Sequence, residues 1–145
     1  MTIIQSDWAT GRKTAPSAYK VGSTHTARFE ITLTTNVATT DIVELGVLPA
    51  FSRIIDATLI VEGAFTGTAD VGIMSGPMGS TDTSRTIGNE LFAAADLTTP
   101  LQRITKNAGP LLSATEADRS IGVKVSAAVT GASTKKLTLL LSYVQ

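Results

Sequence analysis

The chain holds few side chains that could do chemistry, and their spacing is poor for it. His25 is the only histidine. A Ser-His-acid triad would need it as the base, yet no Gly-x-Ser-x-Gly elbow offers the serine. With no cysteine in the chain, thiolate zinc sites and disulfides are excluded. Glu30, Glu44, Asp56 and Glu62 could in principle supply the paired carboxylates of a glycosidase. Their spacing is what strand alternation gives any exposed sheet face, so they read as solvated groups. Asp70, Asp82 and Asp96 are too scattered for a calcium loop. The glycines between Gly72 and Gly79 lack the Gly-Lys-Ser/Thr ending of a phosphate loop. Met74 and Met78 in that segment could form a soft contact surface. These residues imply no catalytic set, no metal and no cofactor.

The elements that would position them are strands. Ala27, Phe29, Ile31 and Leu33 alternate with Arg28, Glu30, Thr32 and Thr34, a half-buried strand. Two more strands meet at a corner, Leu48-Pro49-Ala50. In the first, Val43, Leu45 and Val47 share a face, opposed by Glu44 and Gly46. In the second, Ile55, Ala57, Leu59 and Val61 oppose Asp56, Thr58 and Glu62. Ile42, Ile54 and Ile60 make the outward side of this pair more apolar than water requires, so they are candidate contact residues.

Further strands are expected through Ala69–Ile73, Ile121–Val129 and Lys136–Val144, with a short one at Leu101–Thr105. For Gly88 to Leu97 the pattern leans to a helical turn over Leu91, Phe92 and Ala95, with a buried strand as the alternative. Ser113 to Glu116 has capping-box spacing and reads as one turn. Seven or eight strands with little helix predict an all-β, two-sheet antiparallel sandwich. A jelly roll fits that count; an immunoglobulin-like order stays open.

Residues 1–25 show no period and are read as an extended N-terminal arm, with residues 26–145 as the β-sandwich domain. Within the arm, Trp8 and Tyr19 are aromatic anchors, and Arg12, Lys13 and Lys20 give it positive charge. Twelve basic residues balance twelve acidic ones, which argues against binding nucleic acid by bulk charge. Apolar runs of four or five residues fall far short of the ~20 that span a membrane, and the N-terminus has no signal-peptide pattern. Threonine is the commonest residue and charged residues are only 17%, a neutral surface suited to docking.

The layout resembles that of capsid decoration (cement) proteins of tailed bacteriophages, in particular the jelly-roll type of short-tailed phages. The resemblance rests on a polar arm followed by Ala27–Leu33, then Asp41-Ile-Val-Glu-Leu-Gly-Val-Leu-Pro-Ala50 running into Arg53–Val61. Asp70–Ile73, Asp118–Val125 and Leu137–Val144 complete it. It implies a non-enzymatic virion structural protein, a homo-oligomer (dimer or trimer), made in the host cytoplasm and bound outside an icosahedral head. There it would bridge subunits of the major capsid protein. On that reading Trp8, Arg12, Lys13, Tyr19 and Lys20 hold the arm on the capsid. Ile42, Ile54, Ile60, Met74 and Met78 face another subunit. The second reading is a carbohydrate-binding β-sandwich of a head fibre or tail component, and the third a small carboxylate hydrolase.

Overall fold

The computed structural model describes residues 1–14 and 23–145. Its strands are β1 (Ile3–Gln5), β2 (Thr24–Thr32), β3 (Ile42–Leu48), β4 (Arg53–Glu62), β5 (Thr68–Ile73), β6 (Phe92–Asp96), β7 (Leu101–Arg103), β8 (Arg119–Val125) and β9 (Lys136–Val144). A single helical turn, α1 (Ala108–Leu111), precedes β8.

They form two sheets, one ordered β1-β3-β8-β5-β6 and the other β2-β9-β4-β7. Every connection except β5 to β6 crosses from one sheet to the other. With β1 set aside, two sheets of four remain, β3-β8-β5-β6 facing β2-β9-β4-β7. This is the order of a jelly roll, and it closes the choice that the hydrophobic pattern left open. β1 is an addition, laid parallel to β3 with Ile3 opposite Ile42.

Alternation explains the core. β9 runs down the middle of its sheet and buries Leu137, Leu139, Leu141 and Tyr143 completely. β2 adds Ala27 and Phe29, β4 adds Ala57, Leu59 and Val61, and β8 answers from the facing sheet with Ile121, Val123 and Val125. Burial at roughly 25 cal/mol per Å² of apolar area drives this packing. Close approach is specific at Gly46, where a Cβ would sit 2.5 Å from the Phe29 ring.

The two sheets differ on their outer sides. All seven residues of β3 are buried, because both faces of the strand are covered. On the far face Met74 lies over Gly122 and bridges to Ile87. Sheet β2-β9-β4-β7 has an open outer face instead.

Several expectations are corrected here. Gly88 to Leu97 is not a helical turn but contains strand β6, hydrogen-bonded to β5. Ala94, with φ 51°, donates its N–H to Asp70 Oδ1 at 2.8 Å. The register slips there, which places Leu91, Phe92 and Ala95 inside together. The helical turn lies at Ala108–Leu111 and not at Ser113–Glu116. The first residues of the arm are part of the sandwich: β1 joins a sheet, and the chain then coils, with Thr10 N–H donating to Ser6 O and Lys13 N–H to Asp7 O.

Candidate interaction surface

The N-terminal segment is fixed by two carboxylates on the β3 side. Asp41 accepts the Thr2 N–H at 2.8 Å and the Ala38 N–H at 2.9 Å. Those two amides hold its carboxyl below the usual value. Glu44 is wholly buried and accepts from Gln5 Nε2 at 2.7 Å, Gly79 N at 3.1 Å and Arg85 Nη2 at 3.0 Å. Ser120 Oγ is a fourth donor. Burial pushes this carboxyl up, but the Arg85, Ser120 and Gln5 side chains and the Gly79 amide outweigh it, so it stays below the ordinary carboxylate value. Arg85 also donates to Ser75 O at 2.7 Å and Ser80 O at 2.9 Å. Glu44 thus ties together β1, β8 and the long loop after β5. The expectation of Glu44 as a solvated group is corrected.

Trp8 follows from this anchoring. It packs on the core and meets Phe29 edge-on, ring centroids 5.1 Å apart. The Lys13 Nζ lies 6.0 Å from its ring centroid, and Arg12 Nη1 lies 3.6 Å from exposed Asp7 Oδ1. Trp8, Lys13, Val47, Pro49, Met78 and Asp118 line a groove of about 270 Å³. Trp8, Lys13 and Met78 therefore come together, with Trp8 and Met78 partly buried against the core. Tyr19 and Lys20 lie outside the described residues.

The outward isoleucines separate. Ile42 is 2% exposed and Ile54 is 3% exposed, so their expected outward placement is corrected. The physical reason at Ile54 is a register slip in β4 between Ile54 and Asp56. The extra residue turns Ile54 inward and leaves Ile55 46% exposed. Met74 is likewise buried, beneath no partner but against Gly122 and Ile87 of its own chain. Ile60 alone keeps an outward place, half-buried between Thr138 and Leu101.

Around Ile60 the open sheet face is a patchwork. Leu101 is 61% exposed. Arg103 pairs with Asp56 at 2.8 Å, Arg28 with Glu30 at 2.8 Å, and Lys136 with Glu30 at 3.7 Å. These partners hold Glu30 and Asp56 below the ordinary carboxylate value. A half-apolar strip with a charged rim is the anatomy of a protein interface.

The corner at Leu48-Pro49-Ala50 lies where the alternation puts it, but the pattern does not single out Phe51 beside it as a contact residue. Phe51 is 62% exposed with φ 60°. Its N–H donates to Thr115 O at 2.7 Å, and the Ala50 N–H donates to Asp118 Oδ1 at 2.7 Å. Gln145 Nε2 donates to Ala50 O from the C-terminus. Ile55 on β4 and Leu111 on α1, which packs on β4, are exposed too, Leu111 by 73%. The bonds fix the backbone of the corner and leave the aromatic ring in water, where aromatic side chains are costly to keep and are favoured at interfaces.

Among the described residues nothing in this geometry assembles a reaction centre. His25 stacks on Tyr143 at 6.0 Å. Among the described residues no group of three or more His, Cys, Asp or Glu side chains could hold a metal ion.

No protein-family model matches the chain, and no curated protein matches it. Solved structures do. A chain in the "Capsid of Ralstonia phage GP4" is 44% identical, with a TM-score of 0.90 over 99% of this chain and 97% of that one. A chain in the "Cyanophage Pam1 capsid asymmetric unit" is 22% identical, TM-score 0.62, covering 92% of each. A chain in the "Acidic stable capsid structure of Helicobacter pylori bacteriophage KHP30" is 16% identical, TM-score 0.54, covering 88% of this chain and 90% of that one. The last two share the fold. Identity of 44% along nearly the full length of both chains goes further, and the chain belongs to the family of jelly-roll structural proteins of phage capsids.

Proposed function

We propose that this protein is a decoration, or cement, protein that binds the outside of an icosahedral phage head and stabilises it by bridging subunits of the major capsid protein. The observation that carries the reading is the near full-length likeness, at 44% identity, to a chain of the Ralstonia phage GP4 capsid. The surface supports it. The exposed aromatic at the Phe51 corner and the Ile60–Leu101 strip are contact features, and binding and bridging need no reaction centre. Trp8 and Lys13 serve the fold first, by holding the start of the arm on the sandwich. Arg12, Tyr19 and Lys20 remain the arm residues offered to the capsid.

The test is reconstitution. Purified protein is added to expanded heads that lack it, and bound mass and the temperature of genome release are measured. Saturable binding with a raised release temperature is expected. Heads that bind nothing, combined with a glycan-array signal, would replace the reading with the carbohydrate-binding one.

A further inference from the structure

β2 is an edge strand of sheet β2-β9-β4-β7. Leu33 donates its N–H to Lys135 O on the β9 side, and strand alternation extends that orientation back through Ile31, Phe29 and Ala27. The N–H and C=O groups of Thr26, Arg28 and Glu30 therefore point off the sheet. Among the described residues no backbone or side-chain partner meets these three amides. The strand contains no proline and no register slip, two of the devices that blunt an edge, and its edge charges, Arg28 and Glu30, are of opposite sign.

Its sequence is also nearly symmetric about Phe29. Reading outward, Arg28 mirrors Glu30, Ala27 mirrors Ile31, and Thr26 mirrors Thr32. An antiparallel copy of the strand centred on Phe29 sets each Arg28 directly opposite Glu30 of the other chain. It sets Thr26 opposite Thr32, and it puts the outward N–H and C=O groups of Arg28 and Glu30 in hydrogen-bonding register. Opposite charges and paired threonines facing each other across strands are both stabilising. A register centred on Arg28 would instead oppose two guanidiniums. Arg28 and Thr26 are exposed, and Trp8 meets Phe29 by its ring.

We propose that two copies of this chain join through their β2 edges, antiparallel about a two-fold axis at Phe29, making one continuous sheet across the pair. Such a contact is isologous, so each favourable pair occurs twice. The charge pairing of Arg28 with Glu30 passes from within one strand to between two. The contact does not depend on head binding.

Light scattering and sedimentation on the full chain test it, with circular dichroism as a control on folding. The wild type is expected to be a dimer. Arg28→Glu or Glu30→Arg alone sets like charges opposite one another and weakens dimerisation by about tenfold or more. The double exchange, Arg28→Glu with Glu30→Arg, restores it. Thr26→Pro gives a second probe, because proline is tolerated on an outward edge but blocks strand addition there. It is expected to leave a folded monomer. A monomeric wild type, a trimer indifferent to these changes, or a double exchange that fails to restore the dimer overturns the proposal. So does a monomer whose Arg28 and Glu30 amides are protected from exchange by residues 15–22 of the same chain.

Discussion

Glu44 and Arg85 lie 3.0 Å apart with side chains 0% and 2% exposed. They are 41 residues apart in the chain, and the pair holds the loop of residues 75–85 against β3. Gln5 and Ser120 complete the carboxylate's bonds. Two charges removed from water are costly unless every bond is made, and here the bonds are made on both sides. Removing one partner leaves the other charged and buried. Glu44→Gln and Arg85→Met are each expected to destabilise the fold by about 3–5 kcal/mol. Because each removes the same interaction, the double change should cost clearly less than the sum. Urea denaturation of all four proteins measures this, and strict additivity would show that the pair does not act as a unit.

The same carboxylates set an acid response. Asp41 and Glu44 both have depressed values in the fold. A depressed group contributes stability that is present above its unfolded value and lost as pH falls through the folded one. Both hold the N-terminal segment, through Thr2 and Gln5. Lowering the pH below about 4 should therefore free residues 2–10 before the sandwich melts. Hydrogen exchange against pH reads it, and Trp8 fluorescence should shift in step as the ring leaves Phe29. In Asp41→Asn the release should begin from a looser state and depend less on pH.

Much of this fold was legible because alternation survives wherever a strand pairs regularly. β2 and β9 match residue for residue, and Ala27, Phe29, Leu137, Leu139, Leu141 and Tyr143 are buried as the period of two predicts; Thr138, buried out of phase, is covered from the neighbouring strands. The misreadings gather at register slips. In β4 the slip beside Ile55 exchanges the faces of Ile54 and Ile55. In β3 a slip between Glu44 and Gly46 turns Gly46 inward against Phe29. In β6 the slip at Ala94 creates buried positions at Leu91, Phe92 and Ala95, a helical spacing made by a bulged strand. Glu44 departs from the alternation for another reason. Alternation assigns it to the outer face, but nothing local reveals that β1 and a loop ending at Arg85 cover that face.

The isoleucines follow from the slip in β4. Ile54→Lys buries an unpaired ammonium in the core and should lower stability by about 3 kcal/mol or more, or prevent folding. Ile60→Lys sits on the open face and should change stability by less than about 1 kcal/mol. Thermal denaturation separates the two. If Ile54→Lys folded as well as the wild type, the inward turn of Ile54 would be wrong.

Phe51 offers the sharpest separation of fold from function. Its left-handed backbone costs a non-glycine residue about 1–2 kcal/mol, and most of its ring is in water. For the fold alone, glycine suits this position better, since it adopts positive φ without strain. The corner does not rely on the ring, because Thr115 accepts the Phe51 amide and Asp118 accepts the neighbouring one. Phe51→Gly should therefore leave the melting temperature unchanged or slightly higher. If Phe51 is the anchor on the head, the same variant should bind reconstituted heads at least about tenfold more weakly, the loss of one buried aromatic contact. Phe51→Tyr, which keeps the ring, should bind nearly as the wild type. Equal binding by Phe51→Gly and wild type would remove the corner from the contact surface and shift attention to the strip around Ile60 and Leu101.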